Sequence, residues 1–377
     1  MKVLVLIDET VDATAQDVAS RRFGAVLDVM ARQGLDPSLV TLRGWGTTND
    51  LMKRLGHDSY SLFCPRNSML PAAVIRLARL IRQSEADVVH SFEVIPALVG
   101  GCGGILARRG LRVFFRCHTS SEGLHAGASR MAGRLNHLTT GGTSAVIAFA
   151  RDLDRTPDRK LCASLEGVVR PRVVPRAELE ILRGDLGVRD GDRVVLTVAR
   201  LREEKGIDVA LRALALLDDA IKSRLHYVVV GSGPDEARLR GVAASVSDAQ
   251  IHWIGHTDDV GQWYSLADVV VMPSLKEAFG LPAAEAMSYS RPVVASAVGG
   301  LPEIVDDGHT GILVPPGDPG RLAGALADML LHPDLVRAMG AKAFDRYERI
   351  FTMEKMVERW IGCYKSGSRM MGQAATR

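Results

Sequence analysis

The sequence predicts an α/β fold of two doubly wound domains, and three observations predict it. At 377 residues the chain is too long for one ordinary domain and about right for two. Short runs rich in Val, Ile and Leu alternate with longer amphipathic stretches, the rhythm of parallel sheets with crossover helices. That rhythm runs through both halves, and no fixed-period repeat points to a solenoid.

Residues 3–7 read as a buried strand. Residues 19–32 follow as a helix whose Phe23, Val26, Leu27 and Met30 recur at three- and four-residue spacing. A helix over 73–82 precedes strands at 88–90 and 113–116, and 145–150 is a further strand. Residues 166–192 hold Pro171, Pro175 and alternating charges without a sustained period, so the domain boundary falls there. Beyond it, 194–198, 227–230, 252–254, 269–272, 293–295 and 311–314 are short, apolar and bounded by Gly, Pro or Asp. Helical patterns such as 209–217 and 321–331 lie between them. In such folds ligands bind outside the carboxyl ends of the strands, and a cleft between two facing domains is the expected site.

Composition narrows the class. With 47% hydrophobic residues and a net charge of +3, the bulk of the chain is not disordered. Residues 92–107 come nearest to a membrane span, but Glu93 and four glycines leave them short of about 20 apolar residues. The apolar opening runs straight into Asp8 and Glu9, unlike a signal peptide. Five scattered cysteines (Cys64, Cys102, Cys117, Cys162, Cys363) with no C-x-x-C pair predict neither a disulfide framework nor a zinc site, and fit a reducing cytoplasm. Between Arg108 and Arg134 six arginines stand against one acid, Glu122. That stretch reads either as a solvated face or as a surface for nucleic acid, anionic lipid or a phosphorylated substrate.

Two segments carry the chemistry. After the strand at 194–198 comes Arg200-Leu201-Arg202-Glu203-Glu204-Lys205-Gly206, then a helix. Arg200 and Lys205 thus stand at a strand end and before a helix N-terminus, both of which suit an anion. Arg grips phosphate bidentately and Lys supplies a point charge. Taken alone, the two also read as surface cations pairing with Glu203 and Glu204. After the strand at 269–272, Ser274 to Met287 places Glu277 in a strand–helix loop and Glu285 one turn into a helix that Pro282 starts. The N–H groups of Phe279, Gly280 and Leu281 form an anion-binding helix mouth between the two acids. Carboxylates there suit sugar hydroxyls, and the plainer alternative is two surface acids favoured by the helix dipole. Gly231-x-Gly233 lacks the third glycine of a dinucleotide fingerprint, with Glu236 in its place. Asp152-Leu153-Asp154 matches a metal motif only in letters.

These segments, with Val298-Gly299-Gly300-Leu301-Pro302-Glu303 and Gly308-His309-Thr310-Gly311, resemble the carboxyl-terminal half of glycosyltransferase family 4. The resemblance is continuous from about Val194 to Val314. It implies a GT-B fold and a retaining enzyme that uses a nucleotide diphosphate sugar, with no cofactor and no metal. The implied domains are an acceptor-binding domain over 1–175 and a nucleotide-sugar domain over 176–350. A helix over 351–366, carrying Trp360 and Tyr364, crosses back to the first domain, and 367–377 form a disordered tail.

The resemblance also assigns roles. Arg200 and Lys205 hold the donor diphosphate, Glu277 binds the transferred sugar, and Glu285 binds the ribose hydroxyls. Phe279, Gly280 and Leu281 offer N–H groups, while Gly231, Gly233 and Ile254 line the nucleotide. His118, in Arg116-Cys117-His118-Thr119, matches a strand-end histidine that points at the donor sugar, and His90 takes a minor structural or acceptor role. The expected partners are a nucleotide sugar (UDP- or GDP-linked) and a hydroxyl-bearing acceptor, with no nucleic acid. The basic stretch from Arg108 to Arg134 adds an anionic membrane surface, hence a cytoplasmic protein peripheral on the inner membrane face. Two departures stand out. Where the family has Gly-Gly after its first strand, the loop Asp8 to Thr14 has no glycine and three acids; where it has Asn-Gly-Val-Asp, this chain reads Glu166-Gly167-Val168-Val169. The altered loop leaves two other readings open, a nucleotide-sugar-binding partner subunit and a nucleotide-sugar epimerase.

Overall fold

The computed structural model describes residues 1–8, 16–45, 47–92, 94–107, 112–116, 145–148, 161–163, 165–169, 172–244, 246 and 249–366. The chain divides into two compact units, Met1–Val169 with Met353–Arg377, and Arg170–Thr352.

The first unit is built on a seven-stranded parallel sheet in the order β3-β2-β1-β4-β5-β6-β7. Its strands are β1 (Lys2–Ile7), β2 (Asp36–Thr41), β3 (Ser59–Ser61), β4 (Val88–Phe92), β5 (Arg112–Arg116), β6 (Ala145–Ala148) and β7 (Leu161–Ala163). The centre is a continuous apolar run, as expected where helices cover both faces: every residue of β4 and all but the first of β1 are buried. The strand order reverses between β1 and β4, the switch point of a doubly wound sheet.

Three strands escape the sequence pattern for physical reasons. β3 and β7 are only three residues long, and β2 begins Asp36-Pro37, which reads as a turn. Pro37 is tolerated because the N–H of Leu39, on the same side of the strand two residues later, is the one that reaches β3 through Asp58. At Pro37 that side lies beyond the paired residues of β3, which begin opposite Leu39, so no bond is lost.

The apolar residues after β4 form the helix Val94–Ala107. At 14 residues it is about 21 Å long, and no described helix is long and apolar enough to cross a membrane. Its glycines serve close packing. A Cβ at Gly100 would stand 2.5 Å from Ser91 Oγ of β4, and one at Gly103 would stand 3.0 Å from Leu77 of the helix Leu70–Ser84.

The helix Met353–Ser366 completes this first core. Met353, Met356, Val357, Trp360, Cys363 and Tyr364 recur at three- and four-residue spacing, and all are buried with β1, β4 and the helix Gln16–Arg32. His90 of β4 lies among their rings. It stacks on Phe92 at 4.7 Å, meets Trp360 at 4.6 Å, and its Nδ1 shares a 2.5 Å hydrogen bond with the Tyr364 hydroxyl. His90 is thus packed into the core of the first unit. Cys363 is disulfide-bonded, which the expectation of no disulfide framework did not include, whereas Cys64 and Cys102 are free.

The second unit repeats the plan in six parallel strands, β10-β9-β8-β11-β12-β13. They are β8 (Arg193–Val198), β9 (Leu225–Val230), β10 (Gln250–Gly255), β11 (Val269–Met272), β12 (Val293–Ser296) and β13 (Gly311–Val314). Each matches a run read from the sequence to within two residues. Tyr227, Val229, Leu211, Leu214, Leu326 and Met329 form the centre of one core layer. The segment 166–192 is less irregular than its sequence reads, since Arg176–Leu186, within the second unit, is a helix, opened after Pro175 and closed by Gly187 at φ 70°. None of the helix's residues is fully buried; Leu179, Leu182 and Leu186 form a short, half-buried apolar stripe among charged neighbours.

Trp360 fills the centre of the first core, so Trp360→Ala is expected to cost about 3–5 kcal/mol in a denaturant titration. A loss below about 1 kcal/mol would contradict the packing described here.

Candidate active site

In the second unit the strand order reverses between β8 and β11, and the loops leaving those two strands bring the predicted residues together. Arg200 and Lys205 follow β8; Glu277 follows β11. Lys205 Nζ donates to Glu277 Oε2 at 2.8 Å, and Ser274 Oγ donates to the same oxygen at 3.2 Å. The pair is largely shielded, with side-chain exposures of 24% for Lys205 and 9% for Glu277. This replaces the surface reading in which Lys205 pairs with Glu203 or Glu204. The Glu204 carbonyl instead accepts the N–H groups of Leu275 and Lys276, at 2.9 and 3.1 Å, tying the two loops together. Arg200 is exposed and forms no ion pair with a described residue.

Glycines make this convergence possible. Gly206 adopts φ 60°, and a Cβ there would lie 2.1 Å from the Pro273 carbonyl oxygen. Gly231 (φ 136°) abuts the Ala199 carbonyl, where a Cβ would come within 1.9 Å, and Gly233 abuts that of Leu201 at 2.3 Å. The Leu201 N–H donates to Ser232 and the Asp235 N–H returns to Leu201, so residues 199–201 lie flat against 231–235. The two glycines thus seat the Arg200 loop. Beside them β10 bulges: Trp253 and Gly255 pair with consecutive residues of β9, which leaves Ile254 out of register. The Gly231 N–H donates to the Gly255 carbonyl at 2.7 Å, fixing Ile254 next to the glycine turn.

The turn before the helix Leu281–Ser288 is held in the same way. Gly299 (φ 57°) would place a Cβ 1.7 Å from the Glu277 carbonyl oxygen, and Gly300 would place one 2.7 Å from that of Phe279. Gly280 has φ 101°, with Leu301 closing on it. Phe279 is buried edge-on against Phe351 at 6.4 Å. Arg346 donates to the carbonyls of Ile304 and Glu303, both at 2.8 Å, and braces the short helix Leu301–Ile304 behind the turn. No described acceptor takes the N–H of Gly280 or Leu281. Glu285 lies in the second turn of Leu281–Ser288, and its Oε2 accepts the hydroxyl of Tyr264 at 2.8 Å.

The second unit therefore carries Arg200, Lys205 and Glu277 on loops fixed by backbone contacts, with Glu285 on the helix that follows Glu277. Among the described residues no group of three or more His, Cys, Asp or Glu side chains is placed to hold a metal ion. Tyr264 is the member that sequence reasoning missed. In Trp263-Tyr264-Ser265-Leu266 it reads as core, and only the fold shows the carboxylate 21 residues later.

The first unit contributes less to this description. His118, Glu9 to Thr14, and Asp152 to Asp154 lie outside the described residues, as does the stretch from Arg108 to Arg134 apart from the backbone of β5. Asp8 is described, and it does not face a ligand as a free acid. Its two oxygens take Arg43 Nε and Nη2 at 2.6 and 3.0 Å, with both side chains largely buried. One of the three acids of that loop is thus neutralised.

Two family models match the chain. "Glycosyltransferase Family 4" covers residues 19–159, and "Glycosyl transferases group 1" covers 179–346. A D-inositol 3-phosphate glycosyltransferase of Acidothermus cellulolyticus is 33% identical over 81% of this chain and 73% of its own length. One of Streptomyces scabiei is also 33% identical, over 70% of this chain but only 64% of its own length. An N-acetyl-alpha-D-glucosaminyl L-malate synthase of Bacillus anthracis is 23% identical over 78% of each chain. Among solved structures, Anabaena HepE in complex with UDP superposes with a TM-score of 0.78 at 20% identity, covering 97% of this chain and all of that one. The fold is thereby GT-B.

Gly299→Ala is expected to push the Glu277 loop by more than an ångström and to lower sugar-transfer kcat/KM about 10²-fold. Gly308→Ala has the same strained backbone (φ 73°) but no atom within 4 Å, and serves as the control. Equal effects from the two would show that the close approach to Glu277 is unimportant.

Proposed function

Because this chain belongs to glycosyltransferase family 4, we propose that it moves a sugar from a nucleotide diphosphate sugar to a hydroxyl of an acceptor, with retention at the anomeric carbon. The observation that carries this reading is the Lys205–Glu277 pair at the β8–β11 switch point, with Arg200 on the same loop as Lys205. An exposed guanidinium and a shielded ammonium suit a diphosphate whose charge grows as it departs. Glu277, its carboxylate held by Lys205 and Ser274, suits hydroxyls of the transferred sugar. Glu285 serves the ribose. The relatives' names support glycosyl transfer, and the UDP bound to HepE supports the donor class.

The proposed reaction is a same-face substitution. The acceptor oxygen bonds to the anomeric carbon as the bond from that carbon to the phosphate oxygen breaks. The departing phosphate oxygen takes the acceptor's proton, so no dedicated protein base is needed. Arg200, Lys205 and the N–H groups of Gly280 and Leu281 stabilise the diphosphate. The loop backbones that carry them are set in advance by the glycine contacts. His118 enters on the family resemblance alone.

The deciding experiment incubates the protein with UDP-, GDP- and ADP-sugars and an acceptor panel that includes inositol phosphate and malate. Product mass and the anomeric proton coupling are then read. Transfer with the donor's configuration is expected; inversion would overturn the mechanism, interconversion of donors would indicate an epimerase, and binding without turnover a partner subunit. Lys205→Ala is expected to reduce kcat/KM by about 10²–10³, or roughly 3–4 kcal/mol of transition-state stabilisation. Undiminished transfer by a folded Lys205→Ala would remove Lys205 from the mechanism.

A further inference from the structure

Tyr264 is fully buried on the helix Gly261–Leu266, yet its hydroxyl reaches out of the core to Glu285 Oε2 at 2.8 Å. Its ring cannot swing away. It stacks on Tyr289 at 5.6 Å and 18°, and the Tyr289 hydroxyl is seated over Gly261, where a Cβ would come within 2.4 Å of it. Glu285 stands on a short helix whose neighbouring Ala283, Ala284, Ala286 and Met287 are all fully buried. Its backbone is thus fixed, and the free variables left to it are side-chain torsions.

The terminal torsion of a glutamate is broad, so an unheld carboxylate samples many planes. A ligand hydroxyl that needs one of them bears the cost of ordering it. A hydrogen bond from a rigid neighbour removes that cost beforehand. We infer that Tyr264 is a positioning residue for the donor's ribose, its hydroxyl fixing the plane of the Glu285 carboxylate. This rests on the reading of Glu285 as the ribose carboxylate. Tyr264 stays a donor throughout the working pH range, because burial, and then the charge of Glu285, push its hydroxyl well above the ordinary tyrosine value. A phenylalanine would fill the same volume and remove that hydrogen bond.

The test is calorimetric titration of UDP, GDP and ADP, each with its 2′-deoxy and 3′-deoxy form, into the intact protein. For the tightest binder, removal of a ribose hydroxyl is expected to weaken binding about ten-fold or more, as loss of a hydrogen bond to a charged group. In the isosteric variant Tyr264→Phe that discrimination falls to about three-fold or less, chiefly through weaker binding of the intact ribose form. Glu285→Gln abolishes it, and Tyr264→Phe adds nothing further in that background. Full discrimination retained by Tyr264→Phe overturns the proposal, as does an equal weakening of the ribose and deoxyribose forms, which would report lost packing. Full discrimination retained by Glu285→Gln overturns instead the ribose reading of Glu285. Failure of all three nucleotides to bind the unmodified protein overturns the donor-site reading, and this proposal with it.

Discussion

Everything at the candidate site depends on backbone lying against backbone where no side chain intervenes. Gly206, Gly231, Gly233, Gly299 and Gly300 each bring a Cα to a neighbouring loop's carbonyl at a distance no Cβ would permit. Loops are ordinarily the most variable and mobile parts of a domain. Here the loops that follow β8, β9, β11 and β12 support one another through main-chain contacts. The functional side chains inherit that rigidity: Lys205 and Glu277, 72 residues apart, meet at 2.8 Å because the turns beneath them are locked. Electrostatics then works on groups already in place, the condition under which it contributes most to catalysis.

How much of this was legible follows from what a sequence records. All six strands of the second unit were readable, being short apolar runs punctuated by Gly, Pro and Asp. In the first unit β2 hid behind Asp36-Pro37, and β3 behind its polar three residues. The helix Arg176–Leu186 was obscured because its apolar stripe, Leu179, Leu182 and Leu186, is short, half-buried and set among charges. At the site, residue identity disclosed Arg200, Lys205, Glu277 and Glu285, but not who partners whom. The local pairing of Lys205 with Glu203 or Glu204 is the natural guess from spacing; the fold chooses a carboxylate from another strand end. The same limit hid the Tyr264–Glu285 bond and the Asp8–Arg43 pair, 35 residues apart. Cys363 shows it again, since a disulfide is a matter of proximity and not of count.

The two units also differ in how they are made. The second is one continuous stretch, Arg170–Thr352. The first is discontinuous: the helix carrying Trp360 and Tyr364 seals a core whose other walls are β1, β4 and Gln16–Arg32. During synthesis these walls emerge well before their last piece, with the whole second unit in between. At about 5–20 residues per second that interval is on the order of 10–50 s. For that time the nascent first unit lacks the side chains that cover Phe92 and stack beside His90, and its apolar sheet face stands open. The second unit, needing nothing from either end, can fold meanwhile. The second unit can thus fold ahead of the first, and the emergence of the helix Met353–Ser366 is the event that closes the first unit's fold.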